Sequence, residues 1–439
     1  MLAGLPQHAS RICRMSAASI AHFDRTFLAR LADWLAVAVA VSLPWSTTAV
    51  GITIAAWLIV LLPTLDAAAV RRELGTAAGG LPVVLWSLGL IGMLWANVDW
   101  HDRFAGLGGF NRLLVIPLLL AQFHRSESGR WPLCGFFLSS IALLIASYAI
   151  VLLLGDDWHG VYGVPVHDTI FQGAIFLICG FGALGYATLG HAGVGYAALT
   201  HGKRAWAWPI AIGAIGALFL INFAFVITSR IALVLAPIVL LLFGWRLFRW
   251  KGILAAILLS LILGGAVWFS APVLRGRIEA SITEMQEYRA ADKATSIGEH
   301  AAFLKESWMI IASAPIIGHG TGSIAEEFRR VTAGNTGVSA EATVNPHNQT
   351  FAVAIQLGVV GAIALWAMWI AHLALFRGES VVAWLGLVVV VENIFSSTVH
   401  SHLFDFNSGW LYVFGIGVLG GMMLRECEGD LKKPPIASV

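Results

Sequence analysis

Charge is what this sequence has least of. Asp, Glu, Lys and Arg make up 12% of its 439 residues, against 58% hydrophobic ones; soluble domains carry about twice that charged share. A chain so poor in charge cannot cover a water-facing surface, and its apolar runs of about 17–25 residues mark a polytopic membrane protein. Cysteine is scarce as well. Cys13, Cys134, Cys179 and Cys427 lie far apart with no C-x-x-C among them, which speaks against a disulfide framework or a zinc site. There is no basic run of the kind that binds nucleic acid, and the net charge is only +2. No P-loop, D-x-D or strand-borne G-x-G-x-x-G occurs, so nucleotide chemistry is not expected. No cleavage motif follows Arg11, Arg14, Arg25 and Arg30, and the first apolar run reads as a retained helix rather than a signal peptide.

What the chain has in abundance is apolar length. Spans are expected near 28–46, 48–66, 81–98, 107–122, 132–154, 169–189, 207–228, 231–247, 253–271, 350–372, 381–398 and 406–424. The predicted fold class is therefore an all-α polytopic membrane protein of about twelve helices with one large loop. Lys and Arg collect in one set of short connections: Arg71–Arg72, Arg125 with Arg130, Lys203–Arg204, Arg246 with Arg249 and Lys251, and Arg377. That side is read as cytoplasmic. The organisation follows: a cytoplasmic tail at 1–27, nine helices over 28–271, an outer loop at 272–349, three helices over 350–424 and a cytoplasmic tail at 425–439.

The outer loop holds most of the polar length, and its pattern is helical. Ile278, Ile282, Met285 and Arg289 share one face. A second helix opens with Ser296 and Glu299 as a capping box, followed by the stripe Ile297, Ala301, Leu304, Trp308 and Ile311. Residues 318–323, GHGTGS, read as a flexible turn. Two amphipathic helices would then roof a cavity over the membrane.

Several residues break the local rules. Arg230 sits between two spans with almost no loop, where a cation costs several kcal/mol, by insertion scales about 2.5–3.5, unless it finds a partner. Arg289 takes an apolar position on its helix face. Each is either a snorkelling Arg or an anion clamp, since a guanidinium fork suits phosphate oxygens. His300 lies at the edge of the second loop helix, and His319 in the glycine-rich turn. His347 is the sharpest case, in VNPHNQTF. Asn345 reads as an N-cap and Pro346 as the first helical residue, with Asn348 and Gln349 alongside. That puts His347 at the positive end of a helix dipole, where the ring stays neutral and serves as a base, and where phosphate is also welcome. Asp156, Asp157, His159, His167 and Asp168 share one loop and are the rival metal site, without a recognisable ligand spacing. Glu392 is a carboxylate inside a span, the feature a transporter would need.

With these residues in view, the chain resembles the O-antigen ligase and polymerase superfamily. The resemblance is carried by the number of spans, the Ser229–Arg230 pair after the seventh, the helical loop before the tenth, and HNQTFAVAIQLGVVG, in which Gly358 and Gly361 follow His347 and Asn348. SAPIIGHGTGS (313–323) is similar to the family's glycine-rich stretch. Where the family often has an Arg near the start of the second loop helix, this chain has His300. The resemblance implies a GT-C-like glycosyltransferase of the bacterial inner membrane, with its site on the periplasmic side. The implied donor is an undecaprenyl-pyrophosphate-linked O-antigen and the implied acceptor lipid A–core, among inner-membrane lipids and without a cofactor. His347 would be the catalytic base, Arg230, Arg289 and His300 the pyrophosphate ligands, and Asn345, Asn348 and Gln349 the supporting residues. One large loop favours a ligase over a polymerase, and the short C-terminal tail favours it over a protein O-oligosaccharyltransferase. A transporter or lipid flippase is the reading from another class.

Overall fold

Helix is the only regular structure among the described residues of the computed structural model, which are 25–154, 163–190, 207–227, 230–270, 272–291 and 295–431. Physics leaves little choice, because backbone polar groups in lipid must pair within their own segment. The first half of the chain builds α1 (Arg25–Ser42), α2 (Thr47–Leu61), α3 (Ala67–Leu74), α4 (Ala77–Gly92), α5 (Trp100–Asn111), α6 (Val115–Arg125), α7 (Arg130–Leu153) and α8 (Thr169–Leu189). After these come α9 (Ala207–Asn222), α10 (Arg230–Ser270), α11 (Pro272–Ala291), α12 (Ser296–Ser313), α13 (Ile324–Thr332), α14 (Gln349–Leu375), α15 (Val381–Ser396) and α16 (Phe406–Leu431). Polar side chains start many of them: the oxygens of Ser46, Asp66, Thr76 and Asp168 each accept from a backbone N–H of the first turn.

Eight helices among the described residues are long and apolar enough to cross a membrane, or nine if α3 and α4, bent by 83°, form one broken span. The protein is multi-pass. Each of the twelve expected segments falls largely on a helix, but two of them share α10. There Phe248 and Arg249 leave helical geometry, and Gly244 packs against Gly252 and Ala256 across the kink, so the run folds back on itself. The core is made where α16 packs on α6, α9 on α8, α1 on α2 and α7, and α14 on α4. Trp57, Trp384, Phe110, Phe123 and Tyr412 are fully buried in it. Two of the indoles in this core are paired: Trp57 Nε1 donates to Gln122 Oε1 (2.9 Å) and Trp384 Nε1 to the Phe181 carbonyl (2.9 Å).

The polar segment before α14 departs from expectation in two places. α12 is capped one residue early, by Thr295, whose side chain accepts from Gly298 N (3.1 Å) and also reaches the Glu284 carbonyl of α11. That second bond ties two helices together, which Ser296 one residue on would not do. The glycine-rich stretch is not a free turn. Gly318, Gly320 and Gly322 all have positive φ (67°, 92° and 90°), a region open to glycine, and a Cβ on any of them would collide with neighbouring backbone.

Gly320 and Gly322 lie against Ala96 and Asp102, and Gly318 lies against a break in α14. At Gly358 (φ 63°, ψ −159°) the helix is interrupted, about 14 Å along the axis from Gln349 at 1.5 Å per residue. The backbone groups released there are taken up by residues 315–320. His319 N and Gly320 N donate to the carbonyls of Ile355 and Gln356 (both 2.9 Å), while Val359 N and Val360 N donate to those of Pro315 (2.8 Å) and Ile316 (3.3 Å). Gln356 Oε1 accepts from Gly322 N (2.8 Å), and Thr321 N donates to the Gly92 carbonyl (3.1 Å) of α4. A small separate core of Phe303, Ile310, Phe328 and Ile355 locks α12 and α13 onto the first half of α14.

Candidate functional site

His347 does not occupy the first turn of α14. The cap is Asn348, whose Oδ1 accepts from Phe351 N (3.0 Å), and the helix starts at Gln349. Asn345 Oδ1 instead accepts from His347 N (3.0 Å), closing a small loop around Pro346. That loop forces His347 into left-handed backbone, φ 53°. A non-glycine residue held there costs on the order of 1–3 kcal/mol, and such strain clusters at functional sites. The imidazole still lies at the N-terminal, positive end of α14.

Four histidines meet at this point. The ring centre of His300, on α12, is 4.5 Å from that of His347. His400 is 5.1 Å from His347 on another side, and His402 lies 5.3 Å from His400. Phe303 stacks on His347 at 5.9 Å and 11°. His347 Nδ1, His400 Nδ1 and His402 Nδ1 are each shielded from water with no hydrogen-bond partner among the described residues.

Burial, followed by the neighbouring His300 and His400 rings, pushes the His347 pKa down to about 4. The ring is therefore neutral at pH 7 and able to accept a proton. His402 is pushed down to about 3, first by burial and then by His400, with Asp405 opposing. His400 is lowered by burial, while Asp405 and Asp168 pull it back. The cluster thus has direction: carboxylates act at its His400 side, and imidazoles on His347.

Asn348 and Gln349 explain how residues fifty positions apart are brought together. Asn348 Nδ2 donates to the Thr398 carbonyl (3.0 Å), and Gln349 N to that of Ser397 (2.9 Å). Buried Gln349 Oε1 accepts from Leu403 N (2.9 Å) and Phe404 N (3.3 Å). The other flank of this turn is held by Arg112, a buried guanidinium between α5 and α6 that donates to the carbonyls of Phe404, Asp405 and Phe406. Its donors are spent on backbone, so it is a fastener rather than an anion clamp.

Of the sequence candidates, His300, His347, Asn345, Asn348 and Gln349 come together. Arg230 opens α10 and Arg289 lies on α11, but the side chains of both are outside the described residues. His319 does not join the cluster. Its Nε2 is within 3.0 Å of Ser313 Oγ and 3.1 Å of the Ile310 carbonyl, and Nδ1 is 3.3 Å from Glu327, so it fastens α12 to α13. In the rival metal loop, Asp156, Asp157 and His159 lie outside the described residues. Asp168 caps α8 through Ile170 N and Phe171 N (both 2.8 Å), and His167 Nδ1 is 3.2 Å from Asn407 Nδ2. Glu392 is buried within α15, its Oε1 without a hydrogen-bond partner among the described residues.

Sequence reasoning missed His400, His402 and Arg112. The only signal was the VHSHLFDFN turn on the side of His347, two histidines and a carboxylate between apolar helices.

No curated protein matches the chain. A family model described as O-antigen ligase matches residues 215–366, about a third of its length. The matched stretch includes Arg230, Arg289, His300, His347 and the Gly358 break, and it supports glycosyl transfer of the O-antigen ligase or polymerase type on polysaccharide or lipid-linked substrates. Over residues 215–366, from within α9 to within α14, the chain is thus similar to the O-antigen ligase family.

Proposed function

We propose that the protein is an O-antigen ligase with twelve spans. It moves a glycan from undecaprenyl pyrophosphate to a sugar hydroxyl of lipid A–core at the periplasmic face of the bacterial inner membrane. The observation that carries this reading is His347: a neutral imidazole, strained into place at a helix N-terminus and ringed by His300 and His400, inside the matched stretch. Pyrophosphate is already a good leaving group, so the enzyme has to orient the acceptor, accept its proton and neutralise the departing charge. His347 takes the hydroxyl proton as the oxygen attacks the anomeric carbon from the face opposite pyrophosphate, inverting that centre. Arg230, Arg289 and His300 hold the pyrophosphate. Asn345, Asn348 and Gln349 fix the loop and the helix start that aim His347.

The direct test is His347→Ala in the full chain. Loss of transfer by ~10²–10⁴-fold, the span of general-base contributions, with normal membrane insertion, is the expected result; wild-type product removes His347 from the chemistry. Transfer by purified protein should also persist in excess EDTA, and loss restored by added metal would favour the Asp156–Asp157 loop. A deletion strain that keeps polymer on its lipid carrier above unextended core supports a ligase, whereas short or absent polymer supports a polymerase.

Transport is the reading a broken helix could suggest. Against it, the groups freed at Gly358 are paired with residues 315–320, which leaves that backbone little to offer an ion.

A further inference from the structure

The cluster around His347 contains two histidines for which the reaction just proposed has no use. His400 lies against His347 with ring centres 5.1 Å apart at 87°, close enough for one water to bridge them. His402 follows at 5.3 Å. Beyond them come Asp405 in the same turn and Asp168 at the start of α8, whose charges both act on His400. His300 stands on the far side of His347. Shielded, unpartnered Nδ1 atoms on His347, His400 and His402 leave these rings to exchange protons with one another or with a bound molecule.

We propose that His400 is the relay for the proton His347 removes, a positioning residue that acts through His347 and passes charge toward Asp405 and Asp168. The inference rests on His347 being the base. As the acceptor O–H bond breaks, its oxygen forms the glycosidic bond, the anomeric carbon–phosphate oxygen bond breaks, and its electron pair leaves with pyrophosphate. The proton goes to His347, then to His400, and then to water on the carboxylate side, so His347 is neutral again for the next acceptor. The imidazoles of His300 and His400 disfavour the cation of His347, whereas the carboxylates of Asp405 and Asp168 favour that of His400. The gradient runs one way.

The experiment compares wild type, His400→Gln, Asp405→Asn and His347→Ala as full-length protein in lipid nanodiscs, with a polyprenyl-pyrophosphate-linked glycan and lipid A–core as probes. His400→Gln should lower kcat by ~10²-fold, the low end of proton-transfer contributions, with unchanged KM. Added imidazole should restore part of the loss, and a curved dependence of rate on the deuterium fraction of the solvent should become linear. Asp405→Asn keeps an oxygen for Ser408 N and removes only the charge; it should lower kcat in the same sense, and it serves if His400→Gln does not fold. Wild-type kcat and solvent dependence in either folded variant, or a loss that imidazole leaves untouched, overturns the relay. An active His347→Ala would sink the base reading itself, whereas an inactive one beside a fully active His400→Gln sinks the relay alone.

Discussion

Two places along α14 invite comparison, because both are irregular and only one is incomplete. At Gly358 the helix breaks deep within the bundle, yet the N–H groups of Val359 and Val360 and the carbonyls of Ile355 and Gln356 all find partners in residues 315–320. At the N-terminal mouth the backbone is equally well held, by Asn345, Asn348 and Gln349, but three imidazole nitrogens and Gln349 Nε2 stay unpartnered among the described residues. A shielded polar atom without a partner costs about 1–3 kcal/mol. A fold that completes one irregularity and leaves the other open has spent its freedom where a substrate can finish the bonding. Break and mouth are scaffold and site.

The largest effect should come from the completed region. Gly358→Val forces a branched side chain onto φ 63° and into the backbone of Ile316 and Ile317. Conformation alone costs ~1–3 kcal/mol, and overpacking adds a similar ~1–3 kcal/mol. Thermal unfolding in detergent should fall sharply, and an unchanged midpoint would mean that the break is not a fixed part of the fold. Gln349→Leu comes next. It strands Leu403 N and Phe404 N, costs ~1–3 kcal/mol and releases the turn that carries His400, so transfer should fall further than stability. Equal transfer in that variant would separate the turn from the chemistry.

The smallest effect is a pH profile. His347 binds its proton near pH 4 when folded and near 6.5 when unfolded, so transfer should stay level as pH falls through 6.5 and drop only toward 4. Stability has the same sign: the unfolded chain takes up the proton first, and the contribution present above pH 6.5 is lost as pH falls toward 4. An acidic limb in transfer near 6.5 would describe a solvated imidazole and weaken the contrast between mouth and break.

Much of the scaffold could be read from the sequence because hydropathy is a local property. The helices, and the two runs hidden in α10, follow from apolar length alone. The break at Gly358 could not be read, since its stability depends on residues 315–320, some forty positions away. Two asparagines, Asn345 and Asn348, are equally plausible caps by type, and Pro346 tipped the reading to the wrong one. Tertiary bonds from Asn348 and Gln349 to the 397–404 turn decide the matter. His347 and His300 stood out by breaking a pattern. His400 and His402 lie in a turn with no periodicity to break, so only packing could reveal them.

The turn between α15 and α16 is fastened at Thr398 by Asn348, at Leu403 by Gln349, and from Phe404 to Phe406 by Arg112. Fastening at three points fixes its length as well as its shape. One residue inserted or removed between Ser397 and Asp405 would swing both histidines out of register with His347; loops ordinarily absorb such changes at the surface, but in this one Ser401, His402 and Leu403 are buried. In this protein a loop should be as intolerant of a change in length as a buried helix.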